Sequence, residues 1–343
     1  MKLYCSILLT FFILLNSISC LAQDVNLSQF YELPLLRNPA LAGIFGGDLR
    51  IVGAYRNQWQ SISSSPYQTK ALGGEFKFSL GEFSNDYVTL GFQISDDVAG
   101  DSKLGKLQIM PAINFHKSIN GEKDNYLSAG LIAGVVQQRF DPSRLQFDDQ
   151  FVNGNYSAAN PTRQTFNRTN LLYLDMGAGI AYNSVAGNDI HYYVGLSAYH
   201  FTKPTVAFLS TNDVKLNPKL VVNFGLTMPY GEEDKLTVYG DFFSQGQSKQ
   251  IQGGLLYNHD LIKYNEDEKI SIGAGLFYKL NDALIPIVKL EYYSIAVGLS
   301  YDVNINKLAV ATSFRGGTEL SLTYKTYFKG LSSTLLKARC PKF

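Results

Sequence analysis

The chain has 343 residues, of which 45% are apolar, 13% aromatic and 17% charged. Average soluble domains carry roughly 25% charged residues, and here 30 basic side chains offset 29 acidic ones, leaving a formal net charge of +1. That balance excludes the electrostatic footprint of a nucleic-acid binder. The apolar content excludes a disordered chain, and 30 Gly beside 22 Tyr exclude a coiled coil.

At the N-terminus, Lys2 precedes the apolar run Ile7-Leu8-Leu9-Thr10-Phe11-Phe12-Ile13-Leu14-Leu15, and small residues then lead to Cys20-Leu21-Ala22-Gln23. This is the pattern of a secretory signal over residues 1–22, with cleavage expected after Ala22 and export of the mature chain. The run is shorter than the ~20 residues of a spanning helix. A lipoprotein reading would cleave before Cys20, but Ser17 stands where a lipobox usually has Leu. Beyond Ala22 no apolar stretch approaches ~18 residues, so no membrane helix is expected. Cys5 and Cys20 fall in the signal, which leaves Cys340 as the only mature cysteine, with neither a disulfide framework nor a thiolate metal site.

From about residue 48 the chain becomes a series of segments with period-2 alternation. In one, Leu127, Ala129, Leu131, Ala133 and Val135 share a face. In others Leu172, Leu174, Met176, Ala178 and Ile180 oppose Tyr173, Asp175, Gly177 and Gly179, and Ile270, Ile272, Ala274, Leu276 and Tyr278 oppose Ser271, Gly273, Gly275, Phe277 and Lys279. One face suits hydrocarbon, and the other is polar or small. Segments such as 124–139 and 171–184 reach the ~9–11 residues of a membrane strand and exceed the ~5–6 of a soluble one. Tyr182, Phe201, Tyr278 and Tyr327 stand where an interfacial girdle would lie.

Short charged connections near 81–86, 120–125, 186–189, 231–234 and 264–268 alternate with longer ones at 57–68, 96–103, 141–170, 203–215 and 304–317. Short periplasmic turns alternating with long external loops mark an outer-membrane barrel. The reading is an all-β, transmembrane, up-and-down antiparallel β-barrel of about 14 strands over residues 48–327. Its strands start near 48, 69, 86, 105, 124, 171, 189, 216, 234, 248, 268, 282, 294 and 317. An even count puts both termini on the periplasmic side, with 328–343 as a periplasmic tail. A soluble β-sandwich or barrel is the competing fold, disfavoured by the strand lengths.

Residues 23–47 precede the first strand and carry Phe30, Tyr31, Pro34, Leu35, Leu36 and Pro39. Too apolar for a loose tail, the segment plugs the lumen, binds a periplasmic partner, or packs inside the barrel purely for stability. Of the four histidines, His116, His191, His200 and His259, none has metal-ligand spacing, and each reads as an interfacial or luminal residue. His191, Ser197 and His200 share a short stretch, but no oxyanion or orienting partner completes a triad. The pairs Gly177-Ala178-Gly179 and Gly273-Ala274-Gly275 lack the third glycine and helix of a dinucleotide site and read as crowded inward strand positions. Asp96-Asp97-Val98-Ala99-Gly100-Asp101 departs from a calcium loop and reads as a solvated external loop. No cofactor, metal or catalytic residue is expected.

Two ends of the mature chain carry a resemblance. The first comprises Gln23-Asp24-Val25-Asn26-Leu27-Ser28-Gln29-Phe30-Tyr31, then Asn38-Pro39-Ala40-Leu41-Ala42-Gly43, then Tyr55-Arg56-Asn57-Gln58-Trp59. The second comprises Ile285-Pro286, Leu299-Ser300-Tyr301-Asp302-Val303-Asn304, Arg315-Gly316-Gly317-Thr318-Glu319-Leu320-Ser321-Leu322-Thr323-Tyr324 and the ending Cys340-Pro341-Lys342-Phe343. Together, in this order, they resemble the PorP/SprF family of outer-membrane proteins of the type IX secretion system in Bacteroidetes; Thr318 stands where many relatives have an aromatic. The resemblance implies a non-enzymatic barrel in the outer-membrane lipid bilayer that works with other type IX secretion or gliding components in the periplasm and outer membrane. It also implies secretion and surface attachment of a specific cargo protein, such as an adhesin with a C-terminal sorting domain. The family supplies no catalytic residues.

Candidate partner-binding residues are Phe30 and Tyr31 in the N-terminal segment and Tyr156, Arg163, Phe166 and Arg168 in the 141–170 loop, which exceeds the ~12–15 residues beyond which loops are usually functional or disordered. The alternative function is an outer-membrane channel for small or hydrophobic solutes.

Overall fold

The computed structural model describes residues 24–328 apart from 81–83, 121–124, 188, 209–212, 264–268 and 308. The expected signal segment with its cleavage site, Cys340 and the rest of the expected tail beyond Phe328 lie outside the described residues.

Among the described residues sixteen strands follow in chain order: β1 Leu49–Gln58, β2 Tyr67–Ser79, β3 Tyr87–Ala99, β4 Leu104–Asn120, β5 Asn125–Arg139, β6 Phe151–Val152, β7 Asn155–Tyr156, β8 Asn170–Ala186, β9 Ile190–Tyr199, β10 Lys219–Tyr230, β11 Asp234–Gln245, β12 Ser248–Lys263, β13 Lys269–Lys279, β14 Ala283–Tyr292, β15 Ile295–Asn304 and β16 Arg315–Thr326. The two-residue strands β6 and β7 pair only with each other. The other fourteen close into one antiparallel barrel, sealed where β1 pairs with β16 from Leu49↔Thr326 to Gln58↔Gly317. Each barrel strand starts within three residues of its expected position.

Alternation sets the two surfaces. Along β13, Ile272, Ala274, Leu276 and Tyr278 are exposed, whereas Ser271, Gly273, Phe277 and Lys279 are buried. Leu172 and Leu174 on β8 are 73% and 67% exposed, values that a water-facing surface would not repeat around its whole circumference. Barrel strands of 10 to 17 residues cover the ~9–11 that a bilayer demands. Tyr182, Phe201, Tyr278 and Tyr327 are all exposed.

Two connections differ from the sequence reading. The expected loop at 96–103 shrinks to Gly100–Lys103, because Asp96 and Asp97 continue β3 opposite Leu107 and Lys106 of β4. Asp97 accepts the Thr69 hydroxyl at 2.5 Å, so these acids extend a ladder rather than form a solvated loop. The connection expected at 57–68 narrows to 59–66, since Asn57 and Gln58 remain paired with Gln68 and Tyr67. The connections 59–66, 140–169, 200–218 and 305–314 gather at one end, and 187–189, 231–233 and 293–294 at the other. Short turns are periplasmic in such barrels, which makes the first end the outer one.

The lumen is filled by the chain's own N-terminal segment. Proline at positions 34 and 39 breaks it into three short 3₁₀ turns, Phe30–Glu32, Pro34–Leu36 and Pro39–Leu41. Leu27, Phe30, Leu33, Leu35, Leu41, Ile44 and Phe45 are each at most 5% exposed, and fully burying such side chains contributes roughly 1.5–3 kcal/mol apiece. Asp24 sits against Lys106, His200 and Lys219, at the outer ends of β4, β9 and β10, whereas Asp48 accepts the Phe328 backbone N–H at the opposite end. The segment therefore traverses the lumen. The first described residue lies at the outer mouth, not beside the end of β16 as the even strand count alone suggested, because two lysines and a histidine draw the Asp24 carboxylate there.

Candidate functional site

Four of the sequence motifs, far apart in the chain, meet at one place in the lumen. Alternation turns Arg56 of β1, Asp302 of β15 and Glu319 of β16 inward, and all three are buried. The Glu319 carboxylate accepts the backbone N–H groups of Ser28 at 2.6 Å and Gln29 at 2.7 Å. Arg56 donates to Asp302 at 2.6 Å, to Glu319 at 3.5 Å and to the Ser28 hydroxyl, which in turn donates to Asp302 at 2.6 Å. Segments nearly 300 residues apart in sequence thus meet where one guanidinium faces two carboxylates, and Glu319 satisfies two plug amides. A buried N–H left unmatched would cost ~1–3 kcal/mol.

The Asn38-Pro39-Ala40 stretch occupies a seat made of glycine. Asn38 Oδ1 accepts the Ala40 N–H at 2.9 Å, capping the third 3₁₀ turn, and its Nδ2 donates to the Ile180 carbonyl at 3.2 Å. A Cβ at Gly179 would fall inside the Asn38 amide, one at Gly195 would reach its Nδ2 at 2.6 Å, and one at Gly130 would meet the Pro39 carbonyl carbon at 2.5 Å. Small inward residues on β5, β8 and β9 therefore exist to admit the plug backbone. On the same turn, Asn114 donates to the carbonyls of Ala40 and Ala42 at 2.8 Å each.

Further anchors run along the segment. Arg37 forms a bidentate pair with Asp241 at 2.5 and 2.7 Å and donates to the Tyr193 hydroxyl, and its own carbonyl accepts Ser197 Oγ at 2.7 Å. Tyr199 donates to the Leu35 carbonyl, Lys77 to the Phe45 carbonyl, and the Gly43 N–H to Glu75. Gly43 holds φ +87°, in the left-handed region that glycine tolerates best. Lys289 and the Thr323 hydroxyl both engage Glu32. Arg37 and Asp241 were not singled out from sequence; an isolated arginine in an apolar stretch and an acid at an inward strand position were the available signal.

The candidate binding residues divide between two places. Phe30 and Tyr31 are only 4% and 8% exposed. Tyr31 stacks on Tyr239 with ring centroids 4.7 Å apart, and Phe30 meets Phe277 edge-on at 5.7 Å. A partner would have to displace the plug to touch them. Tyr156, Arg163, Phe166 and Arg168 lie in the outer connection 140–169, which is folded. Phe166 packs edge-on against Phe140 at 5.2 Å, and Phe140 meets Phe208 of the next long connection at 4.7 Å. Gln150 and Asn160 exchange side-chain-to-backbone bonds at 3.2 and 2.9 Å. Asp149 accepts the Arg163 N–H at 2.6 Å and the Thr162 hydroxyl, and these bonds, the backbone one foremost, hold its carboxyl below the ordinary carboxylate range. Tyr156, Arg163 and Arg168 remain exposed on this scaffold.

The histidines sit apart. His116 is buried between Ser128 Oγ at 2.7 Å, Asn114 and Thr89, and stacks on Tyr87. His200 bridges Asp175 and Asp24 at 2.7 Å each, and His259 meets Asp234 at 2.7 Å. Ser197 gives its hydroxyl to Arg37 and makes no triad with His200. Gly177 and Gly179 are buried luminal strand positions, and among the described residues no cluster of three potential metal ligands forms.

A closed fourteen-strand antiparallel barrel with an apolar belt and a charged, plug-filled lumen defines an outer-membrane β-barrel. The sequence matches the family described as type IX secretion system membrane protein PorP/SprF over residues 19–324, and the chain belongs to that family. No curated protein matches it. Among solved structures the chain is similar to the toluene transporter TbuX of Ralstonia pickettii (9% identity, 84% of this chain and 91% of that chain covered, TM-score 0.46). It is similar as well to the toluene transporter TodX of P. putida (10%, 85% and 93%, TM-score 0.42) and to Omp33 of Acinetobacter baumannii (7%, 82% and 99%, TM-score 0.39). Likenesses this weak carry no argument, and the barrel stands on its own strand pairing.

Proposed function

We propose that this barrel is a non-enzymatic, plugged anchor of the type IX secretion system, exported through a signal cleaved after Ala22 into the outer membrane. In this reading it supports secretion and surface attachment of a specific cargo, such as an adhesin with a C-terminal sorting domain, alongside periplasmic and outer-membrane secretion components. The observation that carries the reading is a division of labour. The lumen is occupied by residues 24–48, tied to the wall by the ion pairs Arg37–Asp241 and Lys289–Glu32. The largest connection, 140–169, is meanwhile built on an aromatic core that holds Tyr156, Arg163 and Arg168 outward. Aromatic and arginine side chains on a pre-ordered scaffold are the usual hot spots of protein recognition.

The test is replacement of residues 142–168 by a short linker, keeping Asn170 because it already pairs with Arg139 in the barrel. The expected result is a heat-modifiable, correctly assembled barrel with cargo lost from the cell surface. Unchanged surface cargo refutes the outer-loop assignment. A solute channel, the competing reading, is separated by planar-bilayer conductance.

A further inference from the structure

The periplasmic half of the lumen holds a cavity of about 70 Å³ whose lining includes Tyr31, Arg37, Arg50, Lys289 and Lys325, with Glu32 the one carboxylate facing it. One water needs roughly 10–15 Å³ by this measure, so there is room for a group of several non-hydrogen atoms. Three of the cations have a carboxylate of their own: Arg37 has Asp241, Arg50 has Glu75, and Lys289 has Glu32.

Lys325 differs. Among the described residues it makes no ion pair: Glu32 is engaged by Lys289, and Glu291, which feels the charge of Lys325, makes its ion pair with Lys269, a lysine shared with Asp260. In the seam that closes the barrel, Lys325 stands directly opposite Arg50. Like charges in directly opposed strand positions are destabilising, yet here the pair sits at the closing register. Arg50 directs Nε and Nη2 to Glu75 on the neighbouring strand β2.

A second, independent signal comes from the plug. The Tyr31 hydroxyl is buried, lines the same cavity and finds no hydrogen-bond partner among the described residues. Buried hydroxyls are nearly always bonded. An ammonium with no ion pair and a phenol hydroxyl with no hydrogen-bond partner among the described residues thus line one cavity, beside a guanidinium that turns only Nε and Nη2 to Glu75.

We propose that this cavity is a binding site for a small oxyanion of the carboxylate or phosphate class, held between Lys325 and Arg50 and capped by the Tyr31 hydroxyl. The bound anion joins the plug to the seam between β1 and β16. Lys289 and Lys325 are only partly buried, so the anion enters from the periplasmic end, either as a free ion or as the carboxylate of a peptide.

The test is calorimetric titration of inorganic phosphate, and separately of acetate, into the full mature chain in detergent at fixed ionic strength. Saturable one-to-one binding is expected, weakened at least tenfold in Lys325→Met, several-fold in Tyr31→Phe, and unaltered in Lys249→Met, an exposed lysine at the outer end. Phosphate alone binding identifies a free phosphate site; acetate binding as well identifies a carboxylate site open to peptide termini. Heat-modifiability verifies that each variant is folded, and Tyr31→Phe removes only a hydroxyl should Lys325→Met fail to assemble. Absence of saturable binding of either anion, or equal binding by the wild type and both site variants, overturns the proposal.

Discussion

Glu319→Gln isolates the contact where the motifs of the two chain ends meet. The carboxylate accepts two plug amides at 2.6 and 2.7 Å and faces Arg56. An amide side chain retains one acceptor oxygen, so one of the Ser28 and Gln29 N–H groups loses its partner inside the protein. That costs ~1–3 kcal/mol, and the surviving bond falls from charge-assisted to neutral strength, a further ~1 kcal/mol. Arg56 keeps Asp302 at 2.6 Å, which holds the loss below the ~3–5 kcal/mol of a fully broken buried pair. A net weakening of about 3 kcal/mol corresponds to roughly a hundredfold change in an opening equilibrium. Hydrogen exchange in detergent should therefore show the Ser28 and Gln29 amides exchanging about a hundredfold faster. The β15–β16 ladder, whose backbone pairs Ser300 with Glu319, should keep its protection, and the barrel should remain heat-modifiable. Exchange at Ser28 and Gln29 within threefold of wild type, in a folded barrel, would refute the anchoring role.

Other consequences follow from the same geometry. Gly179→Ala places a methyl against the Asn38 amide; overpacking of this kind costs ~1–3 kcal/mol, so Ala40 amide protection should drop ~5- to 100-fold, and unchanged protection would contradict the glycine seat. Asp149 is depressed in the folded loop, so its contribution is complete above the ordinary carboxylate value near ~4 and is lost as pH falls through the folded value. The Arg163 amide should therefore exchange faster below about pH 4 after correction for intrinsic rate, and Asp149→Asn should abolish that pH dependence; equal behaviour of wild type and variant would count against it. In planar bilayers the intact protein should be nearly silent, and removal of residues 24–45 should introduce stable conductance steps; steady conductance by the intact barrel would favour a solute channel.

Much of the wall was legible because a membrane strand writes its environment every second residue. The run Ile270, Ile272, Ala274, Leu276 and Tyr278 states its lipid face without reference to any other strand, and the structure exposes nearly all of it. Phe277 illustrates the limit: an aromatic at an inward position is ambiguous until Phe30 and Tyr31 arrive to pack on it. Asp96 and Asp97 misled for a related reason. Acids near a strand end read as loop, whereas a charged lumen accepts them inside the ladder opposite Lys106. The plug contacts were illegible because they join residues far apart, such as Ser28 with Glu319, and no local periodicity encodes such a pair. Resemblance carried those motifs without a physical reason; the structure supplies the reason that Asn38-Pro39-Ala40 and the inward glycines belong together.

The central claim, a plugged barrel that holds cargo through its outer loop, is tested most directly by a photo-crosslinking residue substituted at Tyr156 in intact cells. Mass spectrometry of the adducts should then recover one large secreted protein carrying a C-terminal sorting domain. Recovery of well-folded barrel with no secreted adduct, while a cysteine placed at the same position in a parallel variant is labelled from outside the cell, would contradict it.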